Sequence, residues 1–331
     1  MMSFSPPNGF FIEPKSRIYL AGHTGLVGSA IHRRLLQAGY SKIITRTHHE
    51  LNLMRQSDVE RFFAEEKPEY VILAAAKVGG IYANSTYPAQ FLFENLSIQN
   101  NVIHTSWLSG IKKLVFLGSA CSYPRECPQP IKEEFLLTGA LEPTNEPYAI
   151  AKIAGIKLCQ AYNHQYGTCF ICAVPTNAYG PNDNFDPEDS HVIPALLQKF
   201  HDARAADNSE VTIWGTGAPL REFIFADDLA DAVLFLLQHY EGFDMVNVGT
   251  EDEISTEDLA RLIKDITGFK GGIRFDRSKP DGMPRKTLDK TRLFSLGWRP
   301  RVSLRDGLRI TYQWFQELQD VRERHPHRRV D

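Results

Sequence analysis

Arg17-Ile18-Tyr19-Leu20-Ala21-Gly22-His23-Thr24-Gly25-Leu26-Val27-Gly28 decides the fold. A β-favouring apolar run (residues 17–22) passes directly into a glycine-rich turn. A helical pattern over residues 26–38 follows, with Val27, Ile31 and Leu35 on one face. A glycine cluster alone says little, but between a strand and a helix it has a specific use. Gly22 permits the tight turn, Gly25 lets backbone approach a pyrophosphate, and Gly28 permits close helix–sheet packing. The helix N-terminus then faces the phosphate charge. His23, Thr24, Leu26 and Val27 complete the turn and belong to the same candidate dinucleotide site.

Working outward, strands and helices alternate. Strands are expected over residues 42–46, 70–76, 112–118 and 170–174, and helices over 56–66, from Ala89 to Leu108 and from Tyr148 onward. Near-continuous apolar strands separated by helices imply a parallel sheet covered on both faces. The expected fold is therefore α/β: a Rossmann-type doubly wound parallel sheet, with ligands at the carboxyl ends of its strands. After Pro175 the rhythm breaks into loops rich in Pro, Asn, Asp and Gly, at residues 179–189, 215–219 and 279–285. A helix over 255–267 opens on Ser255, Thr256, Glu257 and Asp258, a good cap. The expected organisation is a leader over 1–16, a Rossmann domain over 17–178, a smaller and mainly substrate-binding α/β domain over 179–318 with some elements returning to the main sheet, and a solvated tail over 319–331.

Composition sets the bounds. The 331 residues are 43% apolar and 23% charged, enough to bury a large core. A net charge of −3 provides no basic field for nucleic acid or an anionic membrane, and no apolar run is long enough to span a bilayer. Five cysteines, an odd and sparse set, fit a reducing cytoplasm rather than a disulfide scaffold. Cys169 and Cys172 have CxxC spacing, but residues three apart on a strand face opposite ways and cannot share a metal. No metal site is expected.

The second strand ends Arg46-Thr47-His48-His49. Where an NAD-preferring fold places a carboxylate for the ribose 2′-hydroxyl, this chain has a guanidinium suited to a 2′-phosphate, so the expected cofactor is NADPH. Tyr148 and Lys152 lie four apart at the start of a helix and project from one face. A Lys ammonium beside a phenol lowers its pKa toward the working range, making Tyr148 an acid for a carbonyl oxygen, with Lys152 also placed to hold ribose hydroxyls. Ser119, 29 residues earlier at the end of the fourth strand, can hydrogen-bond that oxygen. Cys121, two residues on, can face the same cleft, and His191 sits at the mouth of a later helix. A thiolate and an imidazole facing a ketone suit proton transfer at the neighbouring carbons, though each also reads as an ordinary core or capping residue.

The GxxGxxG spacing and the Ser–Tyr–Lys set are those of extended short-chain dehydrogenases. HTGLVGSAI, AAAKVGGIYAN, LGSACSYP, EPTNEPYAIAKIAG, PTNAYGPNDNF, SHVIPALL, WGTGAPLREF and KPDGMPRK, in order from about Arg17 to Pro300, resemble the signature segments of the GDP-L-fucose synthase family. That resemblance implies 3,5-epimerisation and NADPH-dependent 4-reduction of a GDP-linked 4-keto-6-deoxy sugar. It implies a reductase set at Ser119, Tyr148 and Lys152, and an epimerase acid/base pair at Cys121 and His191. It places Asn52, Leu53, Ala74, Ala75, Ala76, Lys77, Pro175, Thr176, Asn177 and His191 at the cofactor. Val78, Gly79, Asn177, Val192, Lys199, Trp214, Arg221 and Lys286 fall at the GDP-sugar. It also implies a homodimer through the helices at residues 89–108 and 148–166. The chain departs from the bacterial pattern where its turn reads HTG rather than carrying Arg, where His48 replaces an Arg, and where Ala120 replaces a Ser. The first two changes remove cationic partners for a 2′-phosphate. A sugar-nucleotide reductase or epimerase making another deoxy sugar, such as GDP-colitose, and a non-catalytic dinucleotide sensor are the competing readings. The sensor has no need of Tyr148 and Lys152, which this chain keeps.

Overall fold

The computed structural model describes residues 12–186, 189–279, 281 and 283–324. In chain order the first half contains β1 (Ile18–Ala21), α1 (Leu26–Gln37), β2 (Ile43–Ile44), α2 (Gln56–Glu66), β3 (Tyr70–Leu73), α3 (Ile81–Thr86), α4 (Pro88–Leu108), β4 (Lys113–Leu117), α5 (Glu146–Tyr166) and β5 (Phe170–Pro175). The second half adds β6 (Asn177–Tyr179), α6 (Val192–Ala205), β7 (Glu210–Trp214), β8 (Leu220–Arg221), β9 (Phe223–Phe225), α7 (Ala226–His239) and β10 (Val246–Val248). It closes with β11 (Ile254–Ser255), α8 (Thr256–Thr267), β12 (Gly272–Asp276), β13 (Arg285–Lys286), α9 (Thr291–Ser295) and α10 (Leu304–Arg324).

Six strands form one wholly parallel sheet in the order β10-β5-β4-β3-β1-β2. Alternate residues of each strand face opposite layers. Ile18, Leu20, Ile72, Val115 and Ile171 pack under α1 and α7, whereas Tyr19, Ala21, Val71, Phe116 and Cys172 pack under α2, α4 and α5. Cys169 and Cys172 fall on these two opposite faces, as their spacing required. Strand β10 and helix α7 return to the main sheet from the second half of the chain. A separate apolar cluster joins α6, α8 and α10 to β7 and β9, and builds the smaller lobe.

Some boundaries differ from expectation. Only Ile43 and Ile44 pair as β2, an edge strand, so Arg46 lies beyond the ladder. Helix α5 begins two residues before Tyr148, with Pro147 in its first turn, where a missing N–H costs nothing. Of the expected leader, residues 1–11 lie outside the described residues, but Ile12 is buried against Ile18 and Tyr40, and the Ser41 amide donates to Pro14 O at 3.0 Å. Ile12 and Ser16 are thus buried rather than frayed, with residues 13–15 exposed between them. Helix α10 runs through the first part of the expected tail, and residues 325–331 lie outside the described residues. So do 187, 188, 280 and 282, within two of the expected loops.

The glycine turn is governed by sterics. Gly22 has φ +87°, and a Cβ there would stand 2.6 Å from the Ala75 amide nitrogen. A Cβ on Gly28 would stand 1.8 Å from Gly22 O. Helix α1 can reach the sheet only because Gly28 has no side chain. Gly28→Ala should cost about 3 kcal/mol or more, by forcing backbone apart rather than repacking a side chain. Urea unfolding measures this, and an unchanged midpoint would contradict it.

Candidate active site

The carboxyl ends of β1, β3, β4 and β5 open on one cleft edge. At β1, the position a Cβ of Gly25 would take meets nothing nearer than Gly22 O at 3.8 Å, so this part of the turn is open. Gly25 is also the N-cap of α1, with no side-chain cap and no acidic residue in the first turn. The first amides of α1 therefore remain free for an anion. His23 Nδ1 is buried without a hydrogen-bond partner beside them. The turn and its helix fit the pyrophosphate of a dinucleotide.

The segment after β3 packs directly on this turn. The Ala74 amide donates to Ala21 O at 3.0 Å, and Ala75 and Ala76 continue along the edge. Lys77 is committed to α4: its amide donates to Asn95 Oδ1 at 2.9 Å, and its ammonium pairs with Glu94 at 3.4 Å. Asn52 and Leu53 lie beyond β2, the first accepting the Met54 amide at 3.0 Å and the second buried. Arg46 is engaged: its guanidinium pairs with Glu66, donates to Thr45 O at 2.8 Å, and lies over the Phe62 ring. A 2′-phosphate would share Arg46 with Glu66 rather than meet a free cation.

Burial first, and then the neighbouring Cys121 sulfur, raise the Tyr148 phenol pKa by more than the Ser119 hydroxyl lowers it. The expected net lowering by Lys152 is absent, because the Lys152 ammonium donates to Leu117 O at 2.8 Å and lies 5.8 Å from the Tyr148 ring centroid. Tyr148 therefore keeps its proton at neutral pH, the state a proton donor needs. Lys152 is itself buried, which lowers its pKa to about 8.

Cys121 lies in a short turn after β4, its amide donating to Ser119 Oγ at 3.2 Å. Asn145 Nδ2 approaches its sulfur at 3.2 Å and Lys286 Nζ at 3.6 Å. Lys286, read from resemblance as a sugar contact, thus stands against the thiol. His191 is the N-cap residue of α6. Its loop is clasped to the post-β3 segment, since the Gly80 amide donates to Asp189 Oδ1 at 2.8 Å, and a Cβ on Gly79 would strike that carboxylate. His191 is open to solvent on one side. The cleft walls still remove enough water to lower its imidazole pKa, against the opposing pull of Asp189.

Val192, Trp214 and Arg221 line one cavity of about 250 Å³, with Phe223, Ile254 and Asp281. Trp214 is 67% exposed, with Lys279 Nζ 5.3 Å from its ring centroid, leaving a face for stacking. Val78 is exposed and is not part of that lining. Asn177 Nδ2 donates to Glu222 O at 2.9 Å, while Thr176, beyond Pro175 of β5, is buried and donates from its amide to Val248 O at 2.9 Å. Lys199 is exposed on α6, outside the cavity lining. A second cavity of about 290 Å³, beside Tyr179, Thr250 and Arg301, shares Phe223 and Ile254 with the first but contains none of Val192, Trp214 and Arg221. Among the described residues, no cluster of His, Cys, Asp and Glu could hold a metal ion.

The model of the NAD dependent epimerase/dehydratase family matches residues 18–249. The chain belongs to that family. Within it, the chain is 58% identical to GDP-L-fucose synthase 1 of Arabidopsis thaliana, over 92% of this chain and 94% of that protein. Identity to the GDP-L-colitose synthase of Yersinia pseudotuberculosis is lower, 39% over 90% of this chain and 97% of that protein. Among solved structures, a GDP-L-fucose synthetase from Naegleria fowleri bound to NADP superposes with TM-score 0.88 at 28% identity, covering 96% and 99% of the two chains. Family membership and the parallel sheet agree with the fold expected from the glycine turn.

Asn145 and Asp189 escaped sequence reading. Asn145 precedes Glu146-Pro147, a pattern that reads as an ordinary helix cap. Asp189 lies in a polar loop whose partner is 109 residues away.

The buried amine gives a pH prediction. Lys152 is charged below about 8 and neutral above it. Any carbonyl reduction that uses the charged Lys152 ammonium should therefore slow as pH rises through about 8, read as kcat/KM against pH. A profile flat across that range would contradict the placement of the ammonium.

Proposed function

We propose that this chain converts GDP-4-keto-6-deoxy-D-mannose to GDP-L-fucose, by epimerisation at C3 and C5 followed by reduction at C4. One observation carries the reading: the Cys121 sulfur, two residues after Ser119 at the end of β4, is met by Asn145 Nδ2 at 3.2 Å, from the helix that carries Tyr148, and by Lys286 Nζ at 3.6 Å. A plain 4-reductase or a hexose 4-epimerase needs Ser119, Tyr148 and Lys152 but has no use for a thiol there. The higher identity to a fucose synthase than to a colitose synthase favours fucose over the other deoxy sugar.

C3 and C5 both flank the C4 carbonyl, which acidifies their protons. Cys121 takes a proton from one face, His191 returns one to the other, and exchange with solvent resets the pair. Tyr148 then donates its proton to O4, with Ser119 hydrogen-bonded to the same oxygen. The cofactor is NADPH, which when bound supplies hydride to C4. The Gly22–Gly28 turn and the uncapped α1 terminus hold its pyrophosphate, and Lys152 its ribose hydroxyls. Arg221 suits a diphosphate and Trp214 a base face, assigning the sugar nucleotide mainly to residues 179–318 and the dinucleotide to 17–178.

Two broader readings accompany this one. Among the described residues no helix is long and apolar enough to cross a membrane, and all five cysteines are free, which supports a cytoplasmic enzyme. Helices α4 and α5 pack together and leave Phe93, Leu108, Ile150 and Tyr166 exposed, which supports a homodimer through those helices. Sedimentation should find a dimer that Phe93→Asp weakens; a monomeric wild type would refute it.

Incubation with GDP-4-keto-6-deoxy-mannose and NADPH in heavy water tests the chemistry. The fucose product should carry deuterium at C3 and C5, and Cys121→Ser should abolish its formation while NADPH still binds. NADPH oxidation that yields product without solvent deuterium would rule out the epimerase half.

A further inference from the structure

Asn145 occupies the N-cap position of α5, where an Asn side chain ordinarily accepts a backbone N–H from the helix's first turn and stabilises it by about 1 kcal/mol. Here it makes no cap hydrogen bond. Its Nδ2 instead donates to Cys121 Sγ at 3.2 Å, and its Oδ1 is left buried without a partner. Lys286 Nζ, from β13 in the other lobe, approaches the same sulfur at 3.6 Å. A sulfur met by two N–H donors from separate elements is held as an acceptor. That arrangement suits a sulfur bearing negative charge.

We infer that Asn145 is a positioning residue for the epimerase step: its amide, with Lys286, holds the Cys121 sulfur as a hydrogen-bond acceptor facing the sugar carbons. This rests on the proposed function for the epimerase role of Cys121 and for the identity of the sugar. Asn145 heads helix α5, which also carries Tyr148, three residues on. Base and proton donor are thereby referred to one helix. Forgoing the cap is the local cost of that coupling.

Asn145→Ala and Asn145→Asp separate a donor from a shape. Asp preserves the size of the side chain and is itself a good cap, but it sets a carboxylate against the sulfur. The first readout is alkylation of Cys121 by iodoacetamide in the NADP-bound enzyme, followed by mass spectrometry. The rate should fall about tenfold in Asn145→Ala, as expected for loss of one hydrogen bond to a charged group, and further in Asn145→Asp. The second is deuterium uptake at C3 and C5 from heavy water, which should fall in the same order relative to C4 oxidation of GDP-L-fucose by NADP. A structural role alone predicts the reverse order, with Asp rescuing what Ala loses, and that result overturns the proposal. Equal alkylation in all three proteins overturns it too. Slowed alkylation in a chain whose wild type exchanges no deuterium at C3 or C5 overturns the epimerase reading instead, and leaves the hold of Asn145 on the sulfur standing.

Discussion

The Glu222 carboxylate, wholly buried between β8 and β9, is the tie on which the cleft depends. One oxygen accepts the Thr250 amide at 2.7 Å, and the other accepts the Leu288 amide at 2.9 Å and pairs with Lys290 at 3.3 Å. Its own main-chain oxygen accepts from Thr176 Oγ1 at 3.1 Å and Asn177 Nδ2 at 2.9 Å. The end of β5, the segment after β10 and the segment after β13 therefore meet at one residue. Burial raises its pKa, while the amides and Lys290 pull it back toward the charged state. A buried carboxylate is costly unless its lone pairs are filled, and these are.

That tie has a functional consequence. Ser119, Cys121, Tyr148 and Lys152 stand on the parallel-sheet lobe, whereas Trp214, Arg221 and Lys286 come from the smaller one. The clasp of Asp189 on Gly80 does for the His191 loop what Glu222 does for β13. A proton shuttle working across one sugar ring needs its groups held from both sides, because small displacements are expensive in rate. In both connections side-chain carboxylates accept backbone amides, so the lobes are joined by directional bonds as well as by apolar packing.

Local rules are set aside at the site itself. Asn145 forgoes its cap, Lys152 is buried with its ammonium on a main-chain carbonyl, and Tyr148 keeps a raised pKa despite a nearby cation. Each departure would be a defect in an ordinary helix. Together they place a sulfur, a phenol and an amine at the carboxyl end of β4. The sequence spacing of Tyr148 and Lys152 correctly put both on one helix face, but spacing carries no information about desolvation, and desolvation dominates both groups.

The sequence by itself determined the parallel sheet, the glycine turn and the identity of the groups on the strand ends. These follow from period, sterics and residue chemistry within a few positions of one another. Strand β2 stops pairing at Ile44 although its partner β1 runs on to Ala21, a boundary that no local pattern records. Only the tertiary structure decided that Arg46 pairs with Glu66, that Lys286 reaches Cys121 across 165 residues, and that Asn145 serves a sulfur rather than its own helix. Each of those choices is a contest between distant partners for one hydrogen bond or one charge. Such contests are settled by which side chains the fold brings within about 3 to 4 Å. The glycine turn that opened the reading is thus the part most fully written in the chain, because its constraint is steric and local.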